Sequence, residues 1–331
     1  MRGMLSMLSL LAVGLLLAPA PGAANTRKDP MRDPSAIGSR DVGKGLNLFS
    51  LEREIELGRQ LAQEVEKQAK IVEDPVIAEF VNRVAQNIAR NSDVKVPITA
   101  KVIDNDEVNA FALPGGYLFI NTGLIRRAAN EAELAGVIAH EVAHVAARHG
   151  TRQASRGQVA NIATLPLIFM GGWAGYGAQQ LAGLGVPLTF LKFSRDFERE
   201  ADLLGVQYLY AAGYDPTAYI DFFEKIQALE RTKPGALSEL FRSHPPTDDR
   251  IRDAQRNIQE ILTPKPQYVV TTSEFSAVRD RLETMLAARK PASEDPNRPT
   301  LRRAPGGERP ADAGAGGQDD SDERPTLKRT S

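Results

Sequence analysis

The feature that most constrains this chain is His140-Glu141-Val142-Ala143-His144, two histidines four residues apart with a glutamate between them, set in an apolar stretch of helical spacing. On an α-helix, residues i and i+4 stand one above the other on one face. Both imidazoles then reach a single ion, and the glutamate reaches a water beside it. The fold must therefore bury a helix that carries three polar side chains. It must also bring a further ligand from elsewhere, because catalytic zinc keeps three protein ligands and one open position. The absence of cysteine restricts the donors to histidine and carboxylates and removes disulfides and thiol nucleophiles. Of the four histidines, His140, His144 and His149 fall in or beside the motif, and His244 stands apart.

The motif helix has its own start and stop signals. Asn130 with Glu133 three residues on is a capping-box pattern, Leu134, Val137, Ile138, Val142 and Val145 supply an apolar stripe, and Gly150 ends it. On a continuous helix His149 points away from the shared face, so it is expected at the surface or the helix end. A better source of the third ligand is Phe197-Glu198-Arg199-Glu200-Ala201-Asp202, where Glu198 and Asp202 share a face at i and i+4 and Glu200 faces the other way. Glu198 is then placed to ligate the metal. Asp202 is placed to accept a hydrogen bond from the far nitrogen of a ligand histidine, which fixes its tautomer and ring orientation. Taken alone, that cluster reads equally as a solvated charged face.

A chain of 331 residues with ordinary globular composition holds one large domain, expected over 45–262, with segments left over. A net charge of -1 without a basic stripe excludes a phosphate-neutralising nucleic-acid binder. Residues 1–24 have the layout of a secretory signal peptide, with Arg2, an apolar run shorter than the roughly 20 residues of a span, and a small-residue segment ending near Ala24. Export to the periplasm is the expectation. Residues 25–44 are polar and aperiodic, a mobile leader. Leu51, Ile55, Leu61 and Val65 mark one helix and Asp74-Pro75 opens another. Three short β-branched and aromatic runs between Pro97 and Asn121, with Pro114-Gly115-Gly116 as a turn, predict a small antiparallel sheet. The expected fold class is thus α+β and mainly helical. The strand around Asn109-Ala110-Phe111 is expected along the cleft, where an edge binds an extended peptide through main-chain hydrogen bonds.

Residues 157–191 carry no charge and many glycines and large apolar residues. They read either as a lid or peripheral membrane contact beside the cleft, or as two buried helices joined by a glycine-rich turn. Residues 263–290 are expected as a small C-terminal appendage. From 291 to 331 proline, glycine and mixed charge predict a disordered tail. Within it Asn297-Arg298-Pro299-Thr300-Leu301-Arg302-Arg303 is echoed by Glu323-Arg324-Pro325-Thr326-Leu327-Lys328-Arg329, either a docking peptide used twice or a duplicated linker.

The order NAFALPGG, HEVAH, SRDFEREAD and SHPPTDDRI resembles the zinc metallopeptidase family of the CAAX prenyl endopeptidase and the heat-shock protease HtpX. The resemblance spans about residues 51–262. It implies a gluzincin-type domain with one zinc ion per chain, ligands His140, His144 and Glu198, Glu141 as general base, and Asp202 as the support of a ligand. It further implies that His244 is able to occupy the open zinc position and hold the enzyme off, and Arg250 matches the family's arginine six residues later. By chemistry alone, His244 also suits donation to a tetrahedral intermediate and Arg250 the stabilisation of its oxyanion. A signal peptide points, within the family, to exported proteases acting on misfolded or stalled envelope proteins. Those continue into tetratricopeptide repeats, a pattern not seen after Leu262. The competing reading is a periplasmic chaperone or binding protein that uses the same cleft with little turnover.

Overall fold

The computed structural model describes residues 29–160, 193–232, 244 and 247–289. The expected signal peptide, residues 161–191 of the uncharged segment and both tail motifs lie outside them. Helices α1 (Leu51–Gln68) and α2 (Pro75–Arg90) open where the sequence places their caps. The Ser50 hydroxyl accepts from the Arg53 amide, and Asp74 accepts from the Val76 and Ile77 amides ahead of Pro75 in the first turn.

Strands β1 (Thr99–Ile103), β2 (Ala110–Leu113) and β3 (Tyr117–Asn121) form one sheet in the order β1-β3-β2. The Pro114-Gly115-Gly116 turn makes β2 and β3 antiparallel as expected, but β1 lies parallel to β3, so the sheet is mixed rather than antiparallel. The reason is burial. β3 is apolar on both faces and takes the centre, while β1 carries Thr99 and Lys101 and takes an edge, reached across the connection 104–109. Alternation then sorts the strands. Ala100, Val102, Ala110, Ala112, Leu118 and Ile120 face the main core, whereas Ile103, Phe111, Leu113 and Phe119 pack under α1. Gly58 makes the close approach of α1 possible, because a Cβ there would lie 1.7 Å from the Pro114 carbonyl oxygen.

Next come α3 (Thr122–Arg127), α4 (Glu131–Ala146), α5 (His149–Ala160), α6 (Arg195–Ala211), α7 (Thr217–Thr232), α8 (Asp248–Ile261) and α9 (Ser273–Arg289). Helix α4 is buried along its whole length and packs against α2, α6, α7 and β2. It carries the motif, so the site is built at the centre of the domain. Of the expected appendage 263–290, the described residues through Arg289 join the domain, since Phe275, Val278 and Leu282 of α9 are buried in the same core. Val269 joins Tyr214 through a single parallel bridge. The leader is pinned from Asp29 onward rather than loose. Arg40 Nε lies 2.7 Å from Asp93 Oδ2 and its Nη1 2.7 Å from Gln207 Oε1, while Tyr208 donates to Asp93 at 2.8 Å. Polarity alone hid this, because Arg40 and Asp93 form an ion pair in the interior.

Candidate active site

Helix α4 begins with one half of the capping box expected: Asn130 Oδ1 accepts from the Glu133 amide at 2.9 Å, while Glu133 reaches one residue past the cap and accepts from the Ala129 amide at 2.7 Å. About two turns after Glu133, His140 and His144 turn the same way, their Nε2 atoms 3.0 Å apart. Helix α6, capped by Ser194, delivers Glu198 to them, with Oε2 3.4 Å from His140 Nε2 and Oε1 3.5 Å from His144 Nε2. The helices can approach this closely because Gly205 faces His140. A Cβ at Gly205 would lie 3.2 Å from the His140 backbone N and Cα. His244 completes the cluster, its Nδ1 2.9 Å from Glu198 Oε1 and 3.4 Å from His140 Nε2. One donor atom from each of His140, His144, Glu198 and His244 lies within 4.8 Å of the others, and all four residues are buried.

This donor set fits zinc, which takes imidazole nitrogen and carboxylate oxygen in sites that keep one position for substrate. Glu141 supplies an independent test. Both of its carboxylate oxygens are buried without a hydrogen-bond partner among the described residues. Such a group is costly unless a ligand meets it. Burial pushes the Glu141 carboxyl up, with His244 and His140 pulling it back, and the Ala112 amide of β2 also acts on it.

The ligand histidines are held from behind. Asp202 Oδ1 lies 3.2 Å from His140 Nδ1, as the i, i+4 spacing with Glu198 predicts. Asp202 also accepts from Tyr219 Oη at 2.5 Å and from Arg250 Nε and Nη2, both at 2.7 Å. Burial opposes charge on Asp202, yet Arg250 first and then His140 hold its carboxyl at about 2. Burial likewise opposes charge on Glu198, and His244, His140 and His144 hold it well below the carboxylate range. The two rings diverge. Burial keeps the His144 ring from charging, whereas Asp202 and Glu198 outweigh burial at His140 and push it up to about 9. Arg250 does not stand open to an oxyanion. Its Nη1 lies 3.0 Å from Glu198 Oε2, so the guanidinium spans the two carboxylates. Tyr219, on α7, had no signal in the sequence beyond being a polar-tipped aromatic on a helix's buried face.

His149 is not at the surface but fully buried, its Nδ1 2.9 Å from His144 Nδ1 and its Nε2 3.1 Å from Glu200 Oε2. The expectation assumed a continuous helix. Arg148, at φ 55°, interrupts it in the left-handed region, so α5 starts in a new direction and returns His149 to His144. Glu54 on α1 holds that turn, 2.6 Å from Arg148 Nε.

Asn109 and Ala110 lie where the polypeptide enters β2, the edge strand beside α4. Both side chains are buried, and the Asn109 carbonyl accepts from the Asn121 amide. They are placed beside the motif helix rather than in the cluster.

The model of peptidase family M48 matches residues 74–258. The chain is 28% identical over 259 residues to a β-barrel assembly-enhancing protease of Yersinia pestis, covering 75% of this chain and 52% of that one. It is 29% identical over 243 residues to the protein of that name in Escherichia coli, at 70% and 49% coverage. It is 31% identical over 184 residues to the mitochondrial metalloendopeptidase OMA1 of Schizosaccharomyces pombe, at 55% and 53% coverage. The chain thus spans about half the length of these relatives. With the matched region enclosing α2 through most of α8 and every residue of the buried cluster, the chain belongs to peptidase family M48, the zinc metallopeptidases.

Proposed function

We propose that this chain is an exported endopeptidase that cleaves misfolded or stalled envelope proteins, with its catalytic part over 45–262. The observation that carries the reading is the buried Glu141, whose carboxylate makes no hydrogen bond among the described residues and lies 3.6 Å from His244 Nε2, beside a cluster of three imidazoles and a carboxylate. His140, His144 and Glu198 would hold zinc, which when bound polarises a scissile carbonyl and acidifies an attacking water. Glu141 takes the proton of that water and passes it to the leaving amine nitrogen. Its burial raises its proton affinity, which suits a group that must accept and then release a proton. Asp202 fixes the His140 ring, and Arg250 keeps Asp202 charged while lying 3.0 Å from Glu198.

His244 is the fourth donor of the cluster. Its position supports a role as an internal ligand that must leave before substrate enters. An extended peptide adding to the edge of β2 at Asn109 and Ala110 would be read through its main chain, which favours unfolded segments over particular sequences. The relatives named as β-barrel assembly-enhancing proteases and the signal-peptide layout of 1–24 support an envelope setting. Among the described residues no helix is long and apolar enough to cross a membrane. Contact with lipid through 157–191 and docking through the tail motifs remain parts of this proposal.

Zinc-dependent cleavage of an unfolded protein, compared between wild type and His244→Ala, tests it. Faster cleavage by His244→Ala is expected. Zinc-loaded protein that cleaves nothing in either form would instead support a chaperone using this cleft.

A further inference from the structure

We infer that His149 is a positioning residue for the metal site: it accepts a hydrogen bond from His144 and passes the orientation on to Glu200 of α6. The inference rests on the reading of His144 as a zinc ligand. His144 and His140 direct Nε2 into the cluster, which leaves each Nδ1 as the outward N–H of a ligating imidazole. His140 gives its Nδ1 to a carboxylate, Asp202. His144 gives its Nδ1 to a second imidazole. His149 Nδ1, at 2.9 Å, is then an acceptor, so its proton resides on Nε2 and is donated to Glu200 Oε2 at 3.1 Å.

The rest of the surroundings hold that ring still. His149 stacks on Phe197 with centroids 4.3 Å apart and an interplanar angle of 18°. Arg152 Nη1 reaches both Glu200 Oε2 and the Ala147 carbonyl, each at 3.1 Å. The left-handed turn at Arg148, fixed by Glu54 from α1, sets the direction of α5 and with it the place of His149. A fully buried imidazole in this position has no part in the proposed proton transfers, which run through Glu141. Its polar atoms are satisfied only if the order His144, His149, Glu200 runs in this direction. The two ligand rings are therefore anchored in different ways to the same helix, His140 directly by Asp202 and His144 through His149 to Glu200.

Full-length His149→Leu and His149→Asn test the inference, since the two side chains have similar shape and only Asn offers an oxygen near the Nδ1 position. Zinc affinity is measured by chelator competition. Loss of such a partner commonly weakens metal binding about 10–100-fold. That loss is expected in His149→Leu, with His149→Asn recovering at least half of it on a logarithmic scale. Affinity within about twofold of wild type in His149→Leu, or no recovery in His149→Asn, overturns the inference. Should neither variant fold, the tautomer of His149 in zinc-loaded wild type decides by nitrogen NMR: a proton on Nε2 supports it, and a proton on Nδ1 overturns it. Failure of wild type itself to bind one zinc ion per chain would sink the ligand assignment instead, which keeps the two failures apart.

Discussion

Arg250 lies between two buried carboxylates, and its removal gives the most informative measurement on how the site is held. Nε and Nη2 each lie 2.7 Å from Asp202, and Nη1 lies 3.0 Å from Glu198. Replacing it by Met keeps much of the volume and leaves both charges without their cation. Breaking a buried pair in this way costs about 3–5 kcal/mol. The Asp202 carboxyl, held at about 2 against an ordinary 3.8 with Arg250 as the largest cause that lowers it, agrees in direction. Urea unfolding of zinc-free protein removes the added stability of a bound ion. At about 3 kcal/mol per molar, a slope suited to a large domain, Arg250→Met should lower the midpoint by roughly 1–2 M. Arg250→Lys restores one charge without the fork and should recover only part of that loss. The sign with pH follows from the depressed value. Asp202 contributes stability that is fully present above its ordinary 3.8 and lost as pH falls through about 2, and without Arg250 the loss should begin at higher pH. An unchanged midpoint with turnover reduced about 100-fold would refute this account and return Arg250 to an oxyanion role.

Two further outcomes follow from the same geometry. Asp202→Asn should weaken zinc binding about 10–100-fold, because an amide is a poorer partner for the His140 Nδ1–H; chelator competition measures it. Gly205→Ala should improve helix propensity by up to about 1 kcal/mol yet push α6 from His140, so zinc affinity should fall about tenfold while thermal stability changes little. Higher stability with unchanged zinc affinity would show that the close approach does not set the site.

Much of the site was legible because it lies within single helices. The spacing of His140 and His144 on α4, and of Glu198 and Asp202 on α6, follows from 3.6 residues per turn. The structure places all four on the expected faces. What spacing could not supply was direction across breaks. His149 depends on one left-handed residue, Arg148, and nothing in an arginine announces a positive φ. The parallel pairing of β1 with β3 depends on which strand is most apolar once all three compete for the centre, whereas a turn such as Pro114-Gly115-Gly116 speaks only for the two strands it joins. Arg40 and α9 were misjudged for one reason. Local polarity suggested periphery, but a buried ion pair and three apolar side chains at helical spacing place them in the interior.

The central claim is that Glu141 moves the proton while the imidazoles and Glu198 hold the metal. Glu141→Gln separates these roles, since it removes the base and leaves the cluster of His140, His144, Glu198 and His244 untouched. Zinc content and cleavage of an unfolded protein should be measured on the same purified sample. The account predicts one zinc ion per chain, as in wild type, with cleavage reduced about 100-fold or more. Zinc-loaded Glu141→Gln that cleaves at the wild-type rate would contradict it.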